Sequence, residues 1–398
     1  MPICITNKTK CSGCHACSSI CPNQCISMKE DAEGFLYPLV NMNNCINCGL
    51  CEKICPIVNY CSPKVDECGL AYAAVSKFDS IRENSSSGGI FSIFAERVIE
   101  NNGVVFGAVF DSNFSVQTIC VDTKEDLSKL RGSKYVQSII GQSYQEAKRY
   151  LETGRTVLFS GTPCQIGGLY SYLKKGYDNL LTIDFICHGV PSPLVWRKYL
   201  DCQKKKAQSD IANISFRQKN SGWKNFSVLI EFKNNYTYLV QHDNDPYMRA
   251  FIDNFSLRPS CYNCAFKTKD RIADITLADF WGVENIYPEI DDDKGTSIIV
   301  IHSKKAKNIF DNIKNSVISI ETDINNCNYC YLNSVNEPKE RKYFFKNIKK
   351  CDFHTTYKKL ITRVKKKHDI YLYKTKIIKK TKRLIQRSIR ILRRKNDS

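Results

Sequence analysis

No uninterrupted apolar run in this chain is long enough to span a bilayer, which argues against a transmembrane protein. The residues before Cys11, Lys8 and Lys10 among them, hold no apolar core segment, so no secretory signal is expected there. Gly-x-Gly-x-x-Gly is missing, and with it the usual dinucleotide fingerprint. No internal repeat appears outside two cysteine runs. Acidic charge is short: 40 Asp and Glu face 59 Lys and Arg, a net charge of +19. That resembles a nucleic-acid signal until it is located. Residues 356–398 hold 17 of the basic side chains against Asp369 and Asp397 alone, so the rest of the chain is nearly neutral and the basic character is a tail. No nucleic-acid-binding fold accompanies it.

Cysteine is abundant, with 21 in 398 residues. Eight of them form two matching runs, Cys11-x2-Cys14-x2-Cys17-x3-Cys21-Pro22 and Cys45-x2-Cys48-x2-Cys51-x3-Cys55-Pro56. Thiolates at this spacing grip three corners of an iron-sulfur cube, while the fourth, ahead of its proline, reaches the other run's cube. The expected sets are therefore Cys11, Cys14, Cys17 and Cys55 for one 4Fe-4S cluster, and Cys45, Cys48, Cys51 and Cys21 for a second. Zinc sites use paired ligands with a longer gap, and clusters would be endangered where disulfides persist, so a reducing cytoplasm is expected. The spacing resembles bacterial two-cluster ferredoxins over about the first 60 residues. Between the runs, Ile26 to Met28 and Phe35 to Val40 read as a hairpin turning at Asp31-Ala-Glu-Gly34. His15 reads as a solvated loop residue.

Residues 59–69 read as a linker. A strand from Leu70 to Val75 then leads to Asn84-Ser-Ser-Ser-Gly-Gly89 and an apolar-periodic helix from Ile90 to Glu100. Small residues at a helix start make an anion seat for the phosphates of a flavin or nucleotide; the alternative is an ordinary capped helix. After a strand at Val104 to Phe110, helices and strands alternate from Ser143, which predicts an α/β core within an α+β whole. Three strands are expected between Ile211 and Val240, and a strand-helix-strand unit from Ser297 to Ile320. Cys164 and Cys187 fall just past the C-terminal ends of strands, where open α/β sheets place chemistry. With Cys261 and Cys264 they are candidates for a third 4Fe-4S cluster. A zinc site, inert thiols, and a nucleophilic role for Cys164 at its helix start remain open on spacing alone.

The motifs Ser86-Ser-Gly-Gly89, Gly161-Thr-Pro-Cys-Gln165, Cys187-His-Gly-Val-Pro-Ser-Pro193, Arg258-Pro-Ser-Cys-x-x-Cys264 and Asp274-Ile-Thr-Leu-Ala-Asp-Phe-Trp-Gly282 occur in this order. Together they resemble the coenzyme F420 hydrogenase/dehydrogenase beta-subunit family, in the form with a fused ferredoxin head, over about residues 1–345. One departure is Ala278, where glycine is expected. The resemblance implies FAD, with Ser86, Ser87, Gly88, Gly89, Ser133 and Lys134 near it, and Cys164, Cys187, Cys261 and Cys264 as ligands of the third cluster; Asp279 and Trp281 are candidates to line the cavity, Trp281 equally a core residue. The implied arrangement is a ferredoxin domain at 1–62 and N- and C-terminal flavin-domain segments at 70–150 and 151–345; the composition adds a basic helical tail at 356–398. The implied activity is an oxidoreductase exchanging electrons between a redox partner, a ferredoxin or reductase, and a small organic substrate, in a family often met in polysaccharide biosynthesis. His188, beside Cys187, is a candidate general acid or a loop-holding side chain. A non-catalytic electron carrier that docks a partner enzyme, and a subunit that uses coenzyme F420 itself, are the rival readings. In the tail, Ile377, Leu384 and Ile391 recur every seven residues among Lys and Arg, a pattern suited to a helix lying on an anionic membrane surface. Cys327 and Cys330 are expected to be free thiols, and Cys4, Cys25, Cys61, Cys68, Cys120, Cys202 and Cys351 are assigned no role.

Overall fold

Continuous apolar runs mark several central strands beyond residue 69, and strands of that kind are covered on both faces. Ser-Ile-Ile-Val-Ile301, for example, is buried at every position. The structure, a computed structural model, describes residues 2–59, 69–326 and 334–365. Cys61, Cys68, the 327/330 cysteine pair, most of the 59–69 linker and the heptad stripe of the tail lie outside the described residues. Among the described residues no helix is long and apolar enough to cross a membrane.

The strands are β1 (Ile26–Glu30), β2 (Leu36–Val40), β3 (Leu70–Ser76), β4 (Val104–Phe110), β5 (Val116–Val121), β6 (Val157–Ser160), β7 (Leu180–Phe185), β8 (Ile211–Gln218), β9 (Ser227–Phe232), β10 (Thr237–Gln241), β11 (Ile275–Asp279), β12 (Ser297–Ile301) and β13 (Val317–Thr322). Eight of them form one sheet in the order β13-β3-β12-β11-β7-β6-β4-β5. Its centre, β11-β7-β6-β4, is parallel and its flanks are antiparallel, so the expected mixed sheet is present. β3, β4 and β5 come from the segment before residue 150 and the others from after it. The expected boundary at 150/151 therefore separates two stretches of sequence that share one sheet, since each half alone would leave an open apolar edge.

Strand β5 was not among the expected elements. It follows a turn in which Asp111 Oδ1 accepts the amides of Asn113 and Ser115. The same chemistry closes the β1–β2 hairpin, where Asp31 Oδ1 accepts the amides of Glu33 and Phe35. Gly34 is fixed there by both angle and space: its φ is +87°, and a Cβ would lie 2.3 Å from Leu194 Cβ.

The head is docked rather than strung on a linker. Arg341 forks onto Glu33 at 3.1 and 2.6 Å, and Phe35 and Tyr37 join a core with Trp196, Tyr199 and Phe345. That core also takes the inner face of a separate antiparallel sheet, β10-β9-β8. The expected packing of the Tyr343-Phe-Phe345 segment is present, with Phe344 and Phe345 buried on the helix Arg341–Ile348. The tail boundary is corrected: a helical stretch covers 353–365, and Phe353, Thr356 and Leu360 are buried, so the chain around residue 356 belongs to the core.

Beneath the parallel strands lies a polar network. Asp184, fully buried on β7, accepts from Arg271 at 3.2 Å and Thr276 at 2.6 Å. Asp274 accepts the amide and hydroxyl of Thr182 and the hydroxyl of Ser303, which ties β7 to the strand β11 that follows it. Burial raises the Asp184 pKa to about 6 against the pull of Arg271. Removing the cation alone would strand a buried carboxylate, at a cost of about 3–5 kcal/mol. Arg271→Met should therefore lower the thermal midpoint of the anaerobically purified protein sharply, and Arg271→Met with Asp184→Asn should recover part of the loss; equal midpoints for wild type and Arg271→Met would disprove the assignment.

Candidate functional site

The Cys-x2-Cys loops turn tightly enough to point successive thiols inward. His15, between Cys14 and Cys17, takes a left-handed φ of 65° and is only 5% exposed. This corrects the expectation of a solvated residue: the loop folds over it, and burial with the Arg258 charge lowers its pKa to about 4. Cys14 and Cys17 both feel the thiols of Cys11 and Cys55, so the last cysteine of the second run does sit with the first three of the first run. Cys21, Cys45, Cys48 and Cys51 line one cavity. The sequence assigned no role to Cys25, yet it lines the same cavity, its Sγ 3.3 Å from that of Cys21.

The third set is also brought together. Cys164 opens the helix Pro163–Leu173 after β6, Cys187 follows β7, and Cys261 and Cys264 lie on and beside the short turn Pro259–Asn263. Burial pushes the Cys164 thiol well above its ordinary value, and Cys264, Cys187 and Cys261 push it further. Burial likewise raises Cys187 to about 12 and Cys261 to about 11. A nucleophilic thiol needs the opposite shift, so this environment speaks against that alternative for Cys164. Buried thiolates do become stable when a metal centre supplies positive charge. Among the described residues no three Cys, His, Asp or Glu side chains converge closely enough for a single metal ion.

The first and third sets adjoin. Gly167 and Gly168 sit inside the helix Pro163–Leu173, where paired glycines are costly unless something must come close. A Cβ on Gly168 would lie 2.9 Å from Cys14 Cβ and 2.8 Å from Tyr144 Oη. Tyr144, fully buried, donates to the Gln165 carbonyl at 2.7 Å and feels both Cys14 and Cys164. The sequence showed the Gly-Gly pair, but nothing in it paired that helix with the Cys14 loop.

The loop Ser86–Gly89 lies at the same sheet end, beside the start of β12: the Gly88 amide donates to Ser297 Oγ at 3.0 Å and Ser87 Oγ to the Thr296 carbonyl at 2.9 Å. Ser133 donates through its amide and hydroxyl to Ser86 Oγ, at 2.7 and 2.8 Å, so these two sequence-nominated residues do meet. Lys134 Nζ turns onto the carbonyls of Arg131 and Gly132, and burial lowers its pKa to about 8. Two further cations, not nominated from the sequence, border the loop. Arg217 donates to the Ser86 carbonyl, and Lys219 to the carbonyls of Arg82 and Ser87. Arg217 is neutralised by Asp279 at 2.9 Å, which commits that nominated carboxylate to an ion pair. Lys134 and Lys219 instead bond carbonyls, and Arg217 Nε is buried without a partner. Surplus positive charge beside a small-residue helix start fits a phosphate-bearing cofactor. Trp281 lies flat on Trp223, centroids 4.4 Å apart.

His188 packs edge-on against Phe251 at 5.0 Å. Burial and Lys267 lower its pKa, which leaves a neutral ring suited to holding the loop rather than to donating a proton.

Comparison with known proteins bears on these sites. The profile of the coenzyme F420 hydrogenase/dehydrogenase beta subunit matches at residues 71–142 for its N-terminal part and 154–327 for its C terminus. A 4Fe-4S dicluster domain matches at residues 10–58. A chain of the xenon-derivatised F420-reducing NiFe hydrogenase complex from Methanosarcina barkeri is similar at 16% identity and a TM-score of 0.44, covering 76% of this chain and 94% of that one. No curated protein matches the chain.

The crossed ligand sets have a direct test. Cys55→Ser should disturb the same cluster signal as Cys11→Ser, and Cys21→Ser the same signal as Cys45→Ser, in electron paramagnetic resonance spectra of the reduced protein. Pairing by run instead of across runs would contradict the geometry.

Proposed function

The chain belongs to the coenzyme F420 hydrogenase/dehydrogenase beta-subunit family, and on that premise we propose that it is an iron-sulfur flavoprotein oxidoreductase linking a redox partner to a small organic substrate. Its N-terminal dicluster domain makes it an iron-sulfur redox protein; the third cluster, the FAD and the substrate chemistry are what the proposal adds. The observation that carries it is the third thiol set, Cys164, Cys187, Cys261 and Cys264, gathered at the sheet end beside Cys14.

When bound, the clusters would supply single-electron exchange and the flavin would couple it to two-electron chemistry. The residues divide the remaining work. The docked hairpin, held by Arg341 and Glu33, fixes the first thiol set against the third. Phe106, Phe159 and Tyr144 fill the core behind it and exclude water from the intervening space. Ser86, Ser133, Lys134, Arg217 and Lys219 would hold the phosphate end of FAD, and the Arg217–Asp279 pair keeps the guanidinium charged and aimed along the loop. His188 steadies the Cys187 loop, with Lys267 on its carbonyl at 2.9 Å.

Protein purified without oxygen should carry about twelve irons and one flavin, and Cys164→Ser or Cys261→Ser should reduce the iron to about eight while flavin remains. About eight irons and no flavin in the wild type would mark the chain as an electron carrier instead. The family profile also favours a second reading, direct use of coenzyme F420. Reduced F420 that bleaches the flavin would support it, and failure to bleach would exclude it.

A further inference from the structure

Among the described residues five arginines are almost wholly buried, and four of them have carboxylate partners: Arg82 with Asp292, Arg217 with Asp279, Arg271 with Asp184 and Arg341 with Glu33. The fifth, Arg258, is 0% exposed, and among the described residues no carboxylate pairs with it. Its guanidinium donates to neutral groups: Nε to the Cys11 carbonyl at 2.8 Å, Nη1 to Gln137 Oε1 at 3.1 Å and Nη2 to the Leu36 carbonyl at 3.0 Å. It also lies over the Tyr37 ring at 4.2 Å. One contact differs in kind, because Nη2 also reaches Cys11 Sγ at 3.5 Å. A buried cation without an anion is costly, and chains keep one only where a counter-charge is supplied.

The backbone of Arg258 faces the other way. Its amide donates to the Val190 carbonyl in the Cys187 loop, and its carbonyl accepts the Cys261 amide at 2.9 Å. Cys261 in turn feels the guanidinium. One residue thus contacts the first thiol set with its side chain and the third with its main chain.

We propose that Arg258 is the built-in counter-cation of the first cluster, a positioning residue that raises its reduction potential and so favours electron passage between the first and third sets. The inference rests on these thiols holding clusters. A thiolate-ligated cube gains negative charge on reduction, so a fixed cation and an N–H donor at one of its sulfurs stabilise the reduced form. The low polarity around Tyr37 and Phe35 keeps that interaction from being screened. The same contact explains the arginine of the Arg258-Pro-Ser-Cys261 motif, to which the sequence alone gave no role.

The test is a potentiometric titration of the full-length, anaerobically purified protein, followed by electron paramagnetic resonance, for wild type, Arg258→Gln, Arg258→Lys and Gln137→Glu. Gln137→Glu leaves Arg258 in place but sets a carboxylate against its Nη1, neutralising it with little change of shape. Arg258→Gln and Gln137→Glu should each lower the reduced-to-oxidised ratio of the first cluster at a fixed potential about tenfold, equivalent to ~59 mV for one electron. Arg258→Lys should recover most of that shift, and the cluster of Cys21, Cys45, Cys48 and Cys51 should not move. Full iron content with an unmoved first-cluster midpoint in Gln137→Glu overturns the proposal, and that variant decides alone where Arg258→Gln fails to retain iron. Wild-type protein whose first thiol set holds no iron would instead defeat the cluster reading beneath it.

Discussion

The arrangement depends on the close approach of the Cys14 loop to the helix that carries Cys164. Two backbones come that near only because Gly168 has no side chain, and a Cβ there would meet both Cys14 and Tyr144. A glycine in a helix, unfavourable in isolation, is tolerated here because it lets the Cys14 loop and the Cys164 helix come close. The hairpin contacts of Glu33, Phe35 and Tyr37 serve the same end from the other side, holding the head in one orientation.

Burial explains the second theme. Cys14, Cys17 and Cys55 in the first set, and Cys164, Cys187 and Cys261 in the third, sit where burial disfavours a free thiolate. The protein accepts that cost at sites where a metal centre would supply the missing positive charge. At the sheet end the balance is reversed: among the described residues Lys134 and Lys219 hydrogen-bond carbonyls, leaving positive charge for an anionic cofactor. Opposite charge deficits at neighbouring places are the simplest physical reason to expect two kinds of cofactor in one chain.

Much of this was legible in sequence because local patterns set it. The cysteine runs fix their own loops, and apolar runs such as Leu180–Phe185 and Ser297–Ile301 declare buried strands. The helix Ile90–Glu100 was bounded by its own Gly89 and Asn101. What escaped was set by distance in the chain. β5 carries Gln117 and Thr118 in its first half and is defined by its pairing with β4, and Arg217 became part of the Ser86 site only when β8 folded beside it. Arg258 was visible as a letter in a motif, but its lack of a carboxylate is a property of the packed interior. Asp279 was legible as a site residue, and its pairing with Arg217 was not.

Iron-edge anomalous diffraction from crystals grown without oxygen tests the central claim most directly. The account predicts iron density at three places, one among Cys21, Cys45, Cys48 and Cys51, one among Cys11, Cys14, Cys17 and Cys55, and one among Cys164, Cys187, Cys261 and Cys264 across Gly168 from the second. Iron confined to the head, with the last four thiols free or bound to another metal, would contradict it.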